Sequence, residues 1–101
     1  MKSYLPLFSL LALAAAKNER CLGIVLRGGA NKGSYEAGAI YKLVRNLPRE
    51  EVQYQVVSGI SVGALNAAHL ASYPIGQEVQ MSEDLLKVWS HVSSANFFTN
   101  W

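Results

Sequence analysis

Apolar positions fall into blocks of different period along this chain, and each block predicts an element. Residues 22–26, Leu-Gly-Ile-Val-Leu, form a short continuous apolar run that stops at the Gly28-Gly29 pair. Such a run predicts a strand buried on both faces. Residues 28–33 are a glycine-rich loop. From Ser34 onward, Tyr35, Ala37, Gly38, Ala39, Ile40, Tyr41, Leu43, Val44 and Leu47 recur at helical spacing until Pro48 ends the helix. Residues 52–57 alternate and end in Val56-Val57-Ser58-Gly59, which predicts a second strand. Residues 62–72 are rich in Ala and Leu and read as a helix, closed by the Pro74-Ile75-Gly76 turn. Ser82 is placed to cap a last helix, with Glu83 and Asp84 in its first turn and Leu85, Leu86, Val88, Trp89 and Val92 on its apolar face. Short apolar strands alternating with helices imply an α/β design, a parallel sheet covered by helices. Two strands do not make a sheet that stands alone, and no closing strand follows Phe97-Phe98, so the chain reads as the front part of a larger domain.

The first sixteen residues differ in kind. Lys2 supplies one positive charge, residues 5–16 are apolar apart from Ser9, and the run ends in Ala14-Ala15-Ala16 before the polar Lys17-Asn18-Glu19-Arg20. A basic start, a short apolar core and small terminal residues match a secretory signal peptide cleaved near Ala16. The run is shorter than the roughly 20 residues a membrane-spanning helix needs, so no transmembrane helix is expected in the mature chain. Secretion or a luminal compartment is the expected destination. Cys21 is the only cysteine, which rules out an intrachain disulfide within this stretch. Its place at the head of an apolar strand favours burial over chemistry.

Composition narrows the function classes. Half of the 101 residues are hydrophobic, only 16% are charged, and the formal net charge is +2. Disordered tails and nucleic-acid arms are therefore set aside, since the basic residues are scattered and form no stripe.

The residues that carry chemistry lie in the two glycine motifs. Gly59-Ile60-Ser61-Val62-Gly63 stands between a predicted strand and a predicted helix, where Gly-x-Ser-x-Gly is the nucleophile elbow of serine hydrolases. Turning strand into helix within one or two residues strains the serine backbone and exposes its hydroxyl. The flanking glycines let neighbouring backbones pass without clashes. The helix that starts after Ser61 points free N–H groups and its positive end at the site, which suits the negative oxygen of a tetrahedral acyl intermediate. The second motif comes after the first strand: Arg27-Gly28-Gly29-Ala30-Asn31-Lys32-Gly33-Ser34-Tyr35-Glu36-Ala37-Gly38. A dinucleotide fingerprint needs glycine where Ala30 stands, and a phosphate loop needs Gly-Lys-Ser/Thr where this chain has Lys32-Gly33-Ser34, so both nucleotide readings fail. A loop that presents N–H donors to an acyl oxyanion remains, because an elbow serine draws such donors from a separate strand–helix loop.

Together the motifs resemble the patatin-like phospholipase domain. Residues 24–38 are similar to its opening strand and Gly-Gly-Gly-x-Lys/Arg-Gly-x-Tyr-x-x-Gly loop, and Gly59-Ile60-Ser61-Val62-Gly63-Ala64-Leu65-Asn66-Ala67 is similar to its elbow and the continuation of that elbow. Residues 86–89 and Phe97-Phe98 resemble the segment beyond the elbow in that family. The resemblance implies the N-terminal part of a three-layer α/β/α sandwich, residues 17–101 here, that cleaves acyl esters of lipids at a membrane or micelle surface. It implies a Ser–Asp dyad, no metal and no organic cofactor. By position, Ser61 is the implied nucleophile, Gly28, Gly29 and Ala30 line the oxyanion hole, and Lys32 and Gly33 complete the loop. Lys32 holds the basic position, suited to supporting the loop or approaching a head group.

The departures matter. Ala30 replaces the third glycine and carries strain if its φ is positive. The family's catalytic Asp lies in an Asp-Gly-Gly/Ala motif near the end of the domain, whereas the single aspartate here, Asp84, sits in Ser-Glu-Asp-Leu. The catalytic Asp is thus expected beyond Trp101. His69 cannot replace it: eight residues along one helix is about 12 Å, against the roughly 3 Å a general base needs. His91 suits a helix C-terminus. The aromatic residues Tyr35, Tyr41, Trp89, Phe97 and Phe98 are expected in the core, with an acyl-chain channel as the other reading for the last pair. The alternative to a hydrolase is a noncatalytic secreted fragment that binds lipid or another protein, at the cost of exposing apolar faces.

Overall fold

The computed structural model describes residues 20–92. The signal-peptide reading of residues 1–16 and the readings placed on Phe97, Phe98 and Trp101 lie outside those residues. Strand β1, Gly23–Leu26, leads through a 3₁₀ turn at Ala30–Lys32 into helix α1, Gly33–Asn46. A second 3₁₀ turn at Arg49–Glu51 precedes strand β2, Val56–Gly59, followed by α2, Val62–Ala71, and α3, Glu78–Ser90. The strands pair in parallel, in register from Gly23 opposite Val56 to Leu26 opposite Gly59. A parallel pair needs a crossover, and α1 supplies it. The mixed α/β class expected from the sequence is the one observed.

Hydrophobic period decides how the layers meet. Ala37, Ile40 and Val44 form the buried stripe of α1, one helical turn apart, and it packs chiefly on α3. Helix α2 lies on both strands. Leu26, Val52, Ala67, Leu70, Met81 and Leu85 complete the core, bordered by Ile24, Tyr54, Val57, Tyr73 and Trp89. Leu47 takes an extended φ of −102° and ψ of 154°, as a residue before proline must, and α1 stops there.

Several expectations are corrected. Helix α3 starts at Glu78 rather than behind a Ser82 cap. The Gly76 N–H donates to the Glu78 carboxylate (2.9 Å) and the Met81 N–H to the Gln77 carbonyl (2.9 Å), so the helix is already wound at Ser82. Ser82 is fully buried, and its hydroxyl donates to the Val79 carbonyl inside the helix. Strand β2 begins at Val56 rather than Val52, because Val52 ends the 3₁₀ turn and drops its side chain into the core. Tyr35 is 80% exposed, since the buried stripe of α1 runs through Ala37 and Ile40 and leaves Tyr35 on the outer side. Cys21 is exposed because it precedes the first paired residue of the sheet. Strand β1 is not covered on both faces by the described residues: Ile24 and Leu26 face the core, while Val25 is 80% and Val56 54% exposed on the other face. No helix among the described residues is long and apolar enough to cross a membrane.

Candidate functional site

The C-terminal ends of both strands bring the two glycine motifs together. At the end of β2 the Ile60 N–H donates to the Leu26 carbonyl at the end of β1 (3.2 Å). Ser61 comes next with φ 57° and ψ −125°, and α2 begins at the following residue. Ala30 and Ser61 are the non-glycine residues with positive φ among the described residues, and each sits in one of the motifs. Such a backbone costs about 1–3 kcal/mol and persists only where the surroundings hold it.

Two glycines do the holding. A Cβ on Gly59 would overlap the Gly63 carbonyl, and a Cβ on Gly63 would overlap the Leu26 carbonyl and crowd that of Arg27. The turn from β2 into α2 is therefore so tight that the elbow closes on itself and on the end of β1. Val62, between Ser61 and Gly63, is buried and anchors the start of α2, while Ile60 is 74% exposed.

Ser61 is exposed, and its hydroxyl caps no helix N–H. The N–H groups of Gly63 and Ala64 are taken by the carbonyls of Ile60 (3.0 Å) and Ser61 (2.9 Å), whereas no backbone carbonyl among the described residues accepts the Val62 N–H. The glycine loop lies directly against this turn: a Cβ on Gly28 would sit 3.3 Å from the Ser61 Cβ and 3.2 Å from the Ile60 carbonyl. The N–H groups of Gly28, Gly29 and Ala30 donate to no backbone carbonyl of the described residues either. A hydroxyl flanked by uncommitted backbone donors is the arrangement that acyl transfer requires. Lys32 is exposed and lays its methylenes over the loop, within 3.2–3.7 Å of where a Gly29 Cβ would stand. Gly33 is buried beneath the Trp89 ring as the first residue of α1.

Ala30 has φ 49°, so a residue that carries a methyl stands in the left-handed region. Ala30→Gly relieves about 1–2 kcal/mol of that strain and returns about 0.4–1 kcal/mol through a freer unfolded chain. A net gain of about 0.5–1 kcal/mol is expected in urea unfolding of the full-length gene product. A lower midpoint in urea would show that the loop does not need a left-handed residue there.

The histidines and Asp84 are occupied elsewhere. His69 Nε2 donates to the Met81 carbonyl (3.1 Å), and its ring meets Tyr73 at 5.0 Å between centroids, which ties α2 to α3. His91 Nδ1 pairs with the Lys87 carbonyl (2.7 Å) at the end of α3. Asp84 accepts from the Tyr73 hydroxyl (2.6 Å) and Gln80 (2.9 Å), and the Tyr73 bond leads in holding its pKa below the usual carboxylate value. A cavity lined by Tyr54, Leu70, Tyr73, Glu78 and Met81 shares no residue with either glycine motif. No cluster of His, Cys, Asp and Glu able to hold a metal occurs among the described residues.

Neither glycine motif's sequence logic assigns a role to Asn66, yet the fold gives it one. It is 1% exposed, and its side chain joins Gly33, Glu36 and Trp89. The signal in the sequence is an amide inside an otherwise apolar stretch of the helix, Ala64-Leu65-Asn66-Ala67.

A family model described as Patatin-like phospholipase matches residues 24–101, which include both glycine motifs and all three helices. No curated protein and no solved structure matches the chain.

Proposed function

Because the chain belongs to the patatin-like phospholipase family, we propose that it carries the nucleophile and the oxyanion hole of a serine lipid acyl hydrolase. The observation that carries this reading is the Ser61 backbone, φ 57° and ψ −125°, at a strand–helix turn with Gly28 packed against it. In the proposed reaction Ser61 Oγ attacks the carbonyl carbon of a lipid ester and its proton passes to a carboxylate base. The carbonyl oxygen takes the negative charge and is received by N–H groups drawn from Gly28, Gly29, Ala30 and Val62. Collapse of the intermediate breaks the ester C–O bond and expels the alcohol, which takes the proton from the base. Water then cleaves the acyl-serine by the reverse roles and releases a fatty acid. The base in this reading is the family's Asp, and neither Asp84 nor His69 stands in for it. Asp84 stands within α3, bonded to Tyr73 and Gln80, and His69 is committed to Met81.

The open sheet face at Val25 and Val56 fits a further layer of the same domain, as parallel sheets are covered on both sides. Residues 17–101 are accordingly read as the N-terminal part of the domain, acting at a lipid surface after secretory targeting by residues 1–16. A fluorophosphonate, which forms a P–O bond to an activated serine and releases fluoride, tests the reading. Peptide mapping of the labelled full-length gene product is expected to place the adduct on Ser61. Hydrolysis of lipid esters with the adduct on another residue would overturn it.

A further inference from the structure

We infer that Asn66 is the positioning residue that holds the far end of the oxyanion loop against the nucleophile turn. The inference rests on the proposed role of Ser61 as nucleophile.

The near end of the loop is fixed by backbone alone: Ile60 N–H bonds the Leu26 carbonyl, and Gly63 abuts the carbonyls of Leu26 and Arg27. The far end, where the loop becomes α1, has no such backbone tie to α2 among the described residues. Asn66 supplies one. Its Nδ2 donates to the Gly33 carbonyl (3.1 Å) and to a Glu36 carboxylate oxygen (3.1 Å), and its Oδ1 accepts the Trp89 indole N–H (2.8 Å). The partners fix the orientation of the amide, since an indole N–H only donates and a carbonyl or carboxylate only accepts. Trp89 adds a steric lock, because its ring fills the space a Gly33 side chain would need. No buried side-chain polar atom is left without a partner among the described residues.

The position of these ties determines the chemistry. Asn66 lies on α2, the helix that starts just after Ser61, and grips the residue at which the loop's donors give way to helix. A loop clamped at both ends to one helix keeps its N–H groups at a fixed distance from the serine. Loosening one end lets the donors drift from where the oxyanion develops, while the substrate's ground state keeps its contacts. Loss of Asn66 therefore lowers kcat and leaves KM nearly unchanged.

The test uses the full-length gene product, a soluble fluorogenic ester, and kcat normalised to serine titrated with a fluorophosphonate. Asn66→Ala is expected to lower kcat per titrated site about ten- to a hundredfold with KM within about threefold. Trp89→Phe keeps a ring but removes the indole donor and is expected to cost about three- to tenfold. Glu36→Ala lowers kcat and Glu36→Gln, whose amide oxygen still accepts from Asn66, restores most of it. A purely structural role gives lower melting temperatures with kcat per titrated site unchanged, and that result overturns the inference. If Asn66→Ala does not fold, Trp89→Phe and the Glu36 pair decide. Failure of the underlying reading has a different signature: Ser61→Ala retains turnover, whatever the Asn66 variants do.

Discussion

Replacing Ser61 by alanine in the full-length gene product is expected to lower turnover of a soluble ester by about 10⁴- to 10⁶-fold. The covalent route needs an oxygen at that position, and no other described hydroxyl shares the strand–helix turn with uncommitted donors. The residual rate is the slower direct attack of water, helped by the same N–H groups. The fold should survive, because the Ser61 side chain makes no capping bond and alanine adds no atom. The backbone makes a sharper prediction. At φ 57° and ψ −125° a side chain of any kind is strained, so Ser61→Gly should abolish the same turnover and yet raise stability by about 1 kcal/mol. Opposite signs on the two readouts identify a residue kept for chemistry against the interest of the fold. Urea midpoints measured beside residual kcat/KM give both. Turnover above about a tenth of wild type in Ser61→Ala would remove the serine mechanism.

Legibility in the sequence divides between local and distant determinants. Strand β1, the end of β2, the first two helices and the elbow are written in short-range patterns: apolar runs, 3.6-residue spacing, and glycine at fixed offsets. The start of α3 is not, because Ser82 carries the usual chemistry of a cap without acting as one. The true start depends on the Gly76 turn and on Glu78 reaching back to it, which a cap signature alone does not reveal. Residue type points Tyr35 and Cys21 toward the core, but exposure is set by which stripe of α1 meets α3 and by where pairing of β1 begins. Val25 has the composition of a strand buried on both faces, and its second cover does not come from residues 20–92. The candidate site divides in the same way. Ser61 and its glycines are contiguous and can be read directly. Asn66 draws its partners from 33 and 30 residues upstream and 23 downstream, so only the folded chain shows what it joins. The missing third glycine raises a positive φ at Ala30 as a question, and only the folded loop answers it, at 49°.

Gly63→Ala is expected to destabilise the full-length gene product by about 3 kcal/mol or more, and Gly59→Ala by a similar amount. The reason is close approach rather than conformational freedom, since neither glycine has a positive φ. A Cβ on Gly63 would run into the Leu26 carbonyl, and the backbone there cannot swing aside as a long side chain would. Leu26 is held in the β1–β2 register, and its carbonyl already accepts the Ile60 N–H. A Cβ on Gly59 would meet the carbonyl of Gly63, so relief of one clash pushes the turn into the other. Domains are stable by only about 5–15 kcal/mol, so a loss of this size depletes the folded state at 37 °C. Gly38 is the internal control. It lies within α1, and apart from its chain neighbours and the helix's own backbone nothing comes inside 4 Å of an ideal Cβ, so Gly38→Ala should stabilise by about 0.5–1 kcal/mol through helix propensity. The three substitutions add the same methyl, so their melting temperatures separate the causes. A rise at position 38 with falls at 59 and 63 is the signature of a turn wedged against β1. Tolerance of alanine at 63 would mean that α2 stands farther from Leu26 than the elbow geometry requires, and the oxyanion loop would then lose its fixed distance from Ser61.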